Sequence, residues 1–238
     1  MKLDILCFGA HPDDVELSCS GTILRQIDLG YKVGIVDLTQ GELGTRGSAE
    51  LRLQEAKKAA EILGISCRDN LGLADGFFRK DRETLLKIIT KIRQYQPDII
   101  LCNSETDRHI DHGRAGDLIE DASFLSGLRR IETQLEGTLQ EVWRPKSIYH
   151  YIQDRMQPAD LLFDITPYIE RKIESIKAFS SQFYDADSTE PETPISGEFF
   201  FDFIKSRAME FGRNINVKYA EGFTVRRTIG SDNLMHLL

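Results

Sequence analysis

What this 238-residue sequence lacks narrows it first. No stretch approaches the ~18 consecutive apolar residues of a membrane span, which argues against a spanning segment. The opening run Met1–Ala10 is short and passes straight into a polar motif, so it reads as a first strand and not as a secretory signal. Only four cysteines occur, Cys7, Cys19, Cys67 and Cys102, and no two of them form a CxxC pair. That spacing argues against a disulfide framework or a thiolate zinc site. The four read as small buried hydrophobes in a reducing compartment, the cytoplasm. Positive charge is also in short supply: 30 Lys and Arg stand against 38 Asp and Glu, a formal net charge of −8. Such a surface disfavours nucleic acid, although a few local arginines can still serve a small anionic ligand. Finally, no GxGxxG follows the first apolar run, which removes the dinucleotide-binding reading and with it a nucleotide-dependent oxidoreductase.

What is present is an alternation of strand and helix signals. Asp4–Ala10 is strand-like, and the helical stretch Val15–Leu29 stops at Gly30. Lys32–Leu38 is a second strand, followed by the glycine-bearing loop Thr39–Ser48. Ser48 is placed to cap a helix with Glu50 in its first turn, an apolar stripe at Leu51, Ala56, Ala59, Ala60 and Leu63, and a stop at Gly64. Ile65–Leu71 is a short third strand. Leu85, Ile88, Ile89 and Ile92 mark a helix that must end before Pro97, and Asp98–Cys102 is a fourth strand. Further on, Lys146–Ile152 reads as a strand, Thr166-Pro167 opens a helix, and the acidic stretch Asp185–Gly197 reads as an exposed loop. Repeated strand–helix–strand units predict a Rossmann-like three-layer α/β sandwich with a mostly parallel sheet. The expectation is one domain over 1–238, regular over 1–125 and less so over 126–238.

Two motifs carry chemistry. Gly9-Ala10-His11-Pro12-Asp13-Asp14 ends the first strand, and His109-Ile110-Asp111-His112 follows the fourth. In a doubly wound sheet these two strand ends flank the point where strand order reverses, so motifs about a hundred residues apart meet in one cleft. A catalytic zinc site takes three protein ligands from histidine and carboxylate and keeps one position open. His11 and Asp14, three apart around a proline turn, with His112 as the third, satisfy that demand. Asp13 and His109 are then left beside the ion, where a general base and a general acid are needed, and Asp111 is placed to orient a histidine. Each motif alone also has a structural reading: Asp13-Asp14 could cap the following helix, and Asp111 could cap one beginning near Ala115. Their joint placement at strand ends favours the metal. His150, in the strand-like Ile148–Tyr151 run, reads as packing, and His236 in the tail as incidental.

The GAHPDDVE and DRHIDH runs resemble the LmbE/PIG-L family of zinc N-deacetylases. The likeness extends through Val36–Gln40 with Gly41, Glu50-Leu51-Arg52, Ser181-Gln182-Phe183 and Tyr219–Phe223. The later segments resemble those of the bacillithiol-biosynthesis deacetylases, which hydrolyse N-acetylglucosaminyl-malate to glucosaminyl-malate and acetate. The resemblance implies His11, Asp14 and His112 as ligands of one Zn2+ per chain, with another divalent ion such as Fe2+ as the alternative. It implies Asp13 as general base, His109 as the group that stabilises or protonates the tetrahedral intermediate, and Asp111 as the residue that tunes its neighbouring histidine. Arg52 matches a substrate-contacting arginine, with Arg46 and Arg108 behind it. One departure is Ile110, where the family usually has proline. A small N-acetylated amino sugar is the implied partner, and a homo-oligomer, a hexamer, the implied assembly. Rival readings are a deacetylase of another N-acetylglucosamine conjugate such as chitobiose, or a non-catalytic metal- or sugar-binding module. The retained Asp13 and His109 speak against the module, and the lack of any anchor speaks against a phosphatidylinositol-linked substrate.

Overall fold

The computed structural model describes residues 1–183, 189–233 and 235. Its first half runs β1 (Ile5–Gly9), α1 (Asp14–Asp28), β2 (Val33–Thr39), α2 (Ala49–Leu63), β3 (Cys67–Leu73), α3 (Arg82–Tyr95), β4 (Ile99–Asn103) and α4 (Ile110–Ser126). A short hairpin, β5 (Gln134–Leu135) with β6 (Thr138–Leu139), leads to β7 (Ser147–Tyr151) and β8 (Leu161–Asp164). A 3-10 turn at Thr166–Tyr168 then precedes α5 (Ile169–Lys177), α6 (Phe200–Asn214) and β9 (Ala220–Thr224). The main sheet has the order β3-β2-β1-β4-β7-β9-β8. Its first five strands are parallel, and β9 runs antiparallel to both β7 and β8.

Local signals set most boundaries. Ser48 Oγ accepts from Leu51 N at the start of α2, and Gly64 closes that helix with φ 73°. Asp81 caps α3 through Thr84 N, and Gln96 ends it in the left-handed region just before Pro97. Three boundaries shift. The third strand begins at Cys67 and not Ile65, because the left-handed Gly64 is followed by a turn whose Ser66 N bonds Val33 O first. Thr166-Pro167 opens the 3-10 turn, and α5 itself starts at Ile169. The fourth helix begins at Ile110, a full turn before Ala115, with His109 as its cap: Nδ1 accepts from Asp111 N at 3.3 Å. Asp111 is therefore a first-turn residue whose carboxylate is free for other work. The cysteines are all free; Cys7, Cys19 and Cys102 are buried, whereas Cys67 is only half-buried on the edge strand β3. The acidic loop is described only from residue 189, where it carries no regular element as far as Gly197; its opening residues, and His236, lie outside the described residues. The first half gives no warning of α6 or of the β8–β9 pair, which complete the same sheet.

Alternate residues of β1 enter different cores, as a two-residue period requires. Leu6 and Phe8 pack with Ile88, Ile92, Leu118 and Ile119 under α3 and α4. Ile5 and Cys7 pack with Val15, Cys19, Ile23 and Tyr151 under α1. Two buried clusters of ion pairs tie helices α1 and α5 to the sheet. Lys172 on α5 binds Glu221 on β9 at 2.7 Å and also donates to the carbonyls of Glu16 and Leu17, while Glu221 accepts from Gly21 N, Thr22 N and Thr22 Oγ1. Arg68 on β3 forks to Asp37 at 2.8 and 3.0 Å and reaches Glu16 at 2.5 Å.

Glu16 and Asp37 are 0% and 1% exposed, and among the described residues Arg68 is the one cation ion-paired with them. Arg68→Ala should destabilise the chain by about 3–5 kcal/mol in urea unfolding at pH 7, the cost of stranding buried charge. Adding Glu16→Gln and Asp37→Asn to that variant should recover part of the loss. An Arg68→Ala protein with an unchanged urea midpoint would contradict this account.

Candidate metal centre and its pocket

The reversal of strand order lies between β1 and β4, and the two motifs leave the sheet there side by side. His11 follows β1, Asp14 begins α1, and His112 stands in the first turn of α4. Asp14 lies between the two histidines: Oδ2 is 3.6 Å from His11 Nδ1, and Oδ1 is 3.2 Å from His112 Nε2. The ring centroid of His109 is 4.7 Å from that of His11 and 5.2 Å from that of His112. His11, His109 and His112 can each bring one nitrogen within 4.8 Å of the others, and so can His11 with Asp75 and Asp111 in oxygen and nitrogen.

A ring of hydrogen bonds aims these donors. Asp14 Oδ2 accepts from His11 N and from Asn103 Nδ2, both at 3.0 Å, and Oδ1 accepts from Gln153 Nε2 at 2.7 Å. Asn103 Oδ1 also holds Ala10 N, which pins the end of β4 to the loop after β1. His112 Nδ1 meets Asp107 Oδ2 at 2.7 Å, which leaves Nε2 facing Asp14. His11 Nε2 meets Asp75 at 3.1 Å and Asp111 at 3.4 Å. Asp111 is itself fixed by Gly76 N and Arg114. This is the carboxylate–histidine arrangement that orients imidazoles toward metals.

The electrostatics suit a cation. Burial would push protons off His11, but its hydrogen bonds to Asp111, Asp14 and Asp75 hold it well above the usual histidine range. Burial likewise disfavours the charged His112, yet Asp14 and Asp107 raise it to about 9. Asp14, whose burial opposes ionisation, is held well below the ordinary carboxylate value by His112 and His11. Carboxylates that draw protons onto two histidines supply the field that a divalent ion relieves, and a His/Asp donor set suits zinc. His109 is the exception: burial and its two histidine neighbours depress it, so it stays neutral more readily than the others.

Asp13 takes a different direction from Asp14. Its φ of 122° is unusual for a non-glycine residue, and it makes no side-chain cap bond to α1. The turn delivers its carboxylate to Arg52 Nη2 at 3.2 Å. Burial raises Asp13 to about 7, with Arg52 pulling the other way. Arg52 also donates to Pro12 O at 2.5 Å and to Gly41 O at 3.4 Å, while its buried Nε has no hydrogen-bond partner among the described residues. A Cβ at Gly41, whose φ is 65°, would lie 2.0 Å from Arg52 Nη1, so this glycine is what admits the guanidinium.

These groups open into a cavity of about 370 Å³, within the range of about 300–1,000 Å³ typical of small-molecule sites. His11, Asp13, Asp14, His109 and His112 line it together with Phe200, Ile204 and Arg207 from α6. Of the sequence-predicted arginines, Arg52 and Arg108 reach the cavity, Arg108 paired with Asp154. Arg46 does not line it; it is buried behind the loop with Glu190 3.8 Å from Nε. His150 is internal, between Asn103 O and Glu120. Asp75, Asn103, Gln153 and Arg207 stand in no motif, and Asp107 lies inside the DRHIDH run without a role that spacing alone assigns.

Comparison with known proteins identifies the chain's relatives. A family model described as PIG-L, GlcNAc-PI de-N-acetylase, matches residues 6–123, a span that holds both motifs. Diacetylchitobiose deacetylase of Thermococcus kodakarensis is 29% identical over 92% of this chain and 81% of its own length. A probable N-acetyl-alpha-D-glucosaminyl L-malate deacetylase 2 of Bacillus anthracis is 26% identical over 75% of this chain and 81% of its own. The 4-oxalmesaconate hydratase of Pseudomonas putida is 25% identical over 91% and 86% respectively. Among solved structures, a conserved protein of Thermus thermophilus superposes with a TM-score of 0.85 at 31% identity, covering 96% of this chain and 97% of its own. With the motifs, the sheet order and these relatives in agreement, the chain belongs to the PIG-L family of de-N-acetylases.

Proposed function

We propose that the chain is a zinc-dependent N-deacetylase acting on an N-acetylglucosamine conjugate, with N-acetylglucosaminyl-malate as its substrate. The reading rests on one observation: His11, Asp14 and His112 converge at the strand-order reversal, with Asp13 and His109 beside them in the same cavity. His11, Asp14 and His112 would hold the ion. A bound zinc supplies Lewis acidity, polarising a carbonyl and lowering the pKa of water toward about 7.

The chain's own residues supply the rest. Asp13, aimed by its left-handed backbone and steadied by Arg52, takes a proton from the attacking water. His109, which remains neutral in the resting cluster, offers a hydrogen bond to the oxygen that gains charge. The water oxygen joins the acetyl carbon, the carbon–nitrogen bond breaks, and the amine leaves with the proton that Asp13 or His109 returns. Asp75, Asp111 and Asp107 keep the histidines in orientation. A second aglycone is favoured by the Thermococcus kodakarensis relative, which acts on diacetylchitobiose. Addition of water to an unsaturated acid, suggested by the Pseudomonas putida hydratase, differs in releasing no acetate.

Three outcomes are expected. Chelation should remove one divalent ion per chain and abolish acetate release from N-acetylglucosaminyl-malate, and zinc should restore it; full turnover by metal-free protein would end the proposal. Asp13→Asn keeps shape but cannot take a proton, so zinc content should hold while kcat falls by about 10²–10⁴-fold. Asp14→Ala should lose zinc and activity together, and the opposite pattern would exchange the two roles. Arg52→Ala and Gly41→Ala should both lower kcat by roughly 10-fold or more on charged and neutral conjugates alike, because each loosens Asp13. A loss confined to the malate conjugate would instead make Arg52 the direct contact for its carboxylates.

A further inference from the structure

Helix α6 has an apolar face, Phe200, Ile204, Ala208 and Phe211, at helical spacing, and Arg207 interrupts it from the inside. Arg207 is 8% exposed and lines the same cavity as the histidines. Its guanidinium has meagre company: Nη2 donates to Leu17 O at 3.4 Å, and the Phe203 ring lies 5.5 Å away. Among the described residues no carboxylate comes within ion-pair distance. The acids whose fields reach it are Asp154, Asp107 and Glu221. Each is already committed, Asp154 to Arg108, Asp107 to His112 and Glu221 to Lys172. Burial pulls the Arg207 pKa down to about 10, the direction expected of a cation short of counter-charge.

A buried, nearly unpaired guanidinium costs free energy in the empty protein, and that cost is recovered only when an anion arrives. The other two cationic side chains of the cavity are quenched: Arg52 by Asp13, and Arg108 by Asp154. Leu17, Phe200 and Ile204 line the same cavity, and apolar neighbours of this kind strengthen a charge pair made beside them. A neutral sugar would leave the guanidinium bare.

We propose that Arg207 is the seat for a carboxylate on the aglycone of the substrate, so that the cavity selects acidic N-acetylglucosamine conjugates over neutral ones. This rests on the deacetylase reading and adds its specificity residue. The test compares wild type, Arg207→Gln and Arg207→Lys, each zinc-loaded, on N-acetylglucosaminyl-malate and on diacetylchitobiose. In Arg207→Gln the ratio of the two kcat/KM values should shift by about 10–100-fold against the malate conjugate, chiefly through KM, the scale of a lost charge-assisted hydrogen bond. Arg207→Lys, which keeps the charge and loses the fork, should fall between. An unchanged ratio overturns the proposal, whether both activities survive or both collapse. Binding is read separately by calorimetry with succinate as the probe, which should bind wild type at least about 10-fold more tightly than Arg207→Gln. Equal or absent binding in the two overturns the seat. Failure of wild type to release acetate from either conjugate, with the succinate difference intact, overturns the deacetylase reading instead.

Discussion

Asp14 is ionised at 2% exposure, and the neighbourhood is built to make that tolerable. A carboxylate cannot be taken out of water without partners for its lone pairs and a counter-charge. Here His11 N, Asn103 Nδ2 and Gln153 Nε2 fill the lone pairs, and two imidazoles provide the charge. Those partners come from the loop after β1, the end of β4 and the chain just past β7, which are neighbouring strands of the sheet. The centre is therefore held at the strand-order reversal by the needs of one carboxylate, and each loop that reaches it is fixed by serving that need.

The helix that carries Asp14 is fixed just as firmly from behind. Lys172 and Glu221 grip the backbone of α1 at Glu16, Leu17, Gly21 and Thr22, while Arg68 holds the Glu16 side chain against β2. Buried ion pairs contribute little net stability when compared with apolar packing, but they are intolerant of slippage. A one-residue shift of α1 would strand two charges, so these pairs set the register of the helix that carries Asp14. Glu55 does similar service for the cavity's rim. It accepts from Ser180 Oγ, Ser181 N and Ser181 Oγ, and Gln182 then donates to Arg46 O, which joins the Ser181–Phe183 segment to the glycine loop.

Much of this is legible in the sequence, and the limit has a physical cause. The parallel half is written in local signals: a β run, a cap at Ser48, a stop at Gly64, a proline after Gln96. The two motifs could be joined because sheet topology brings strand ends together whatever lies between them. Asp75 and Gln153 were out of reach because each is brought in by a tertiary turn, and no spacing connects Asp75 to His11 across 64 residues. Arg207 was hidden for another reason. Its position on the apolar face of α6 is visible only once that helix is recognised, and the aromatic cluster Phe199–Phe203 gives no clean helical period. Arg46 lies off the cavity lining for a tertiary reason, its side chain buried beside Glu190, and the composition of the glycine loop does not report that placement.

The division of labour between Asp13 and Asp14 is a property of the backbone. Adjacent residues in a regular helix start diverge by about 100° and would leave both carboxylates at the helix end, competing for the same N–H groups. The turn at φ 122° breaks that equivalence, sending Asp14 down between the histidines and Asp13 sideways to Arg52. Such a conformation costs of order 1–3 kcal/mol in isolation and persists only where the surroundings over-determine it. Arg52 does so by binding the Asp13 carboxylate and the Pro12 carbonyl at once, and it reaches both only because Gly41 has no side chain. Pro12, Asp13, Gly41 and Arg52 thus form one unit, in which a glycine on the β2 side of the cleft decides where a carboxylate on the β1 side points.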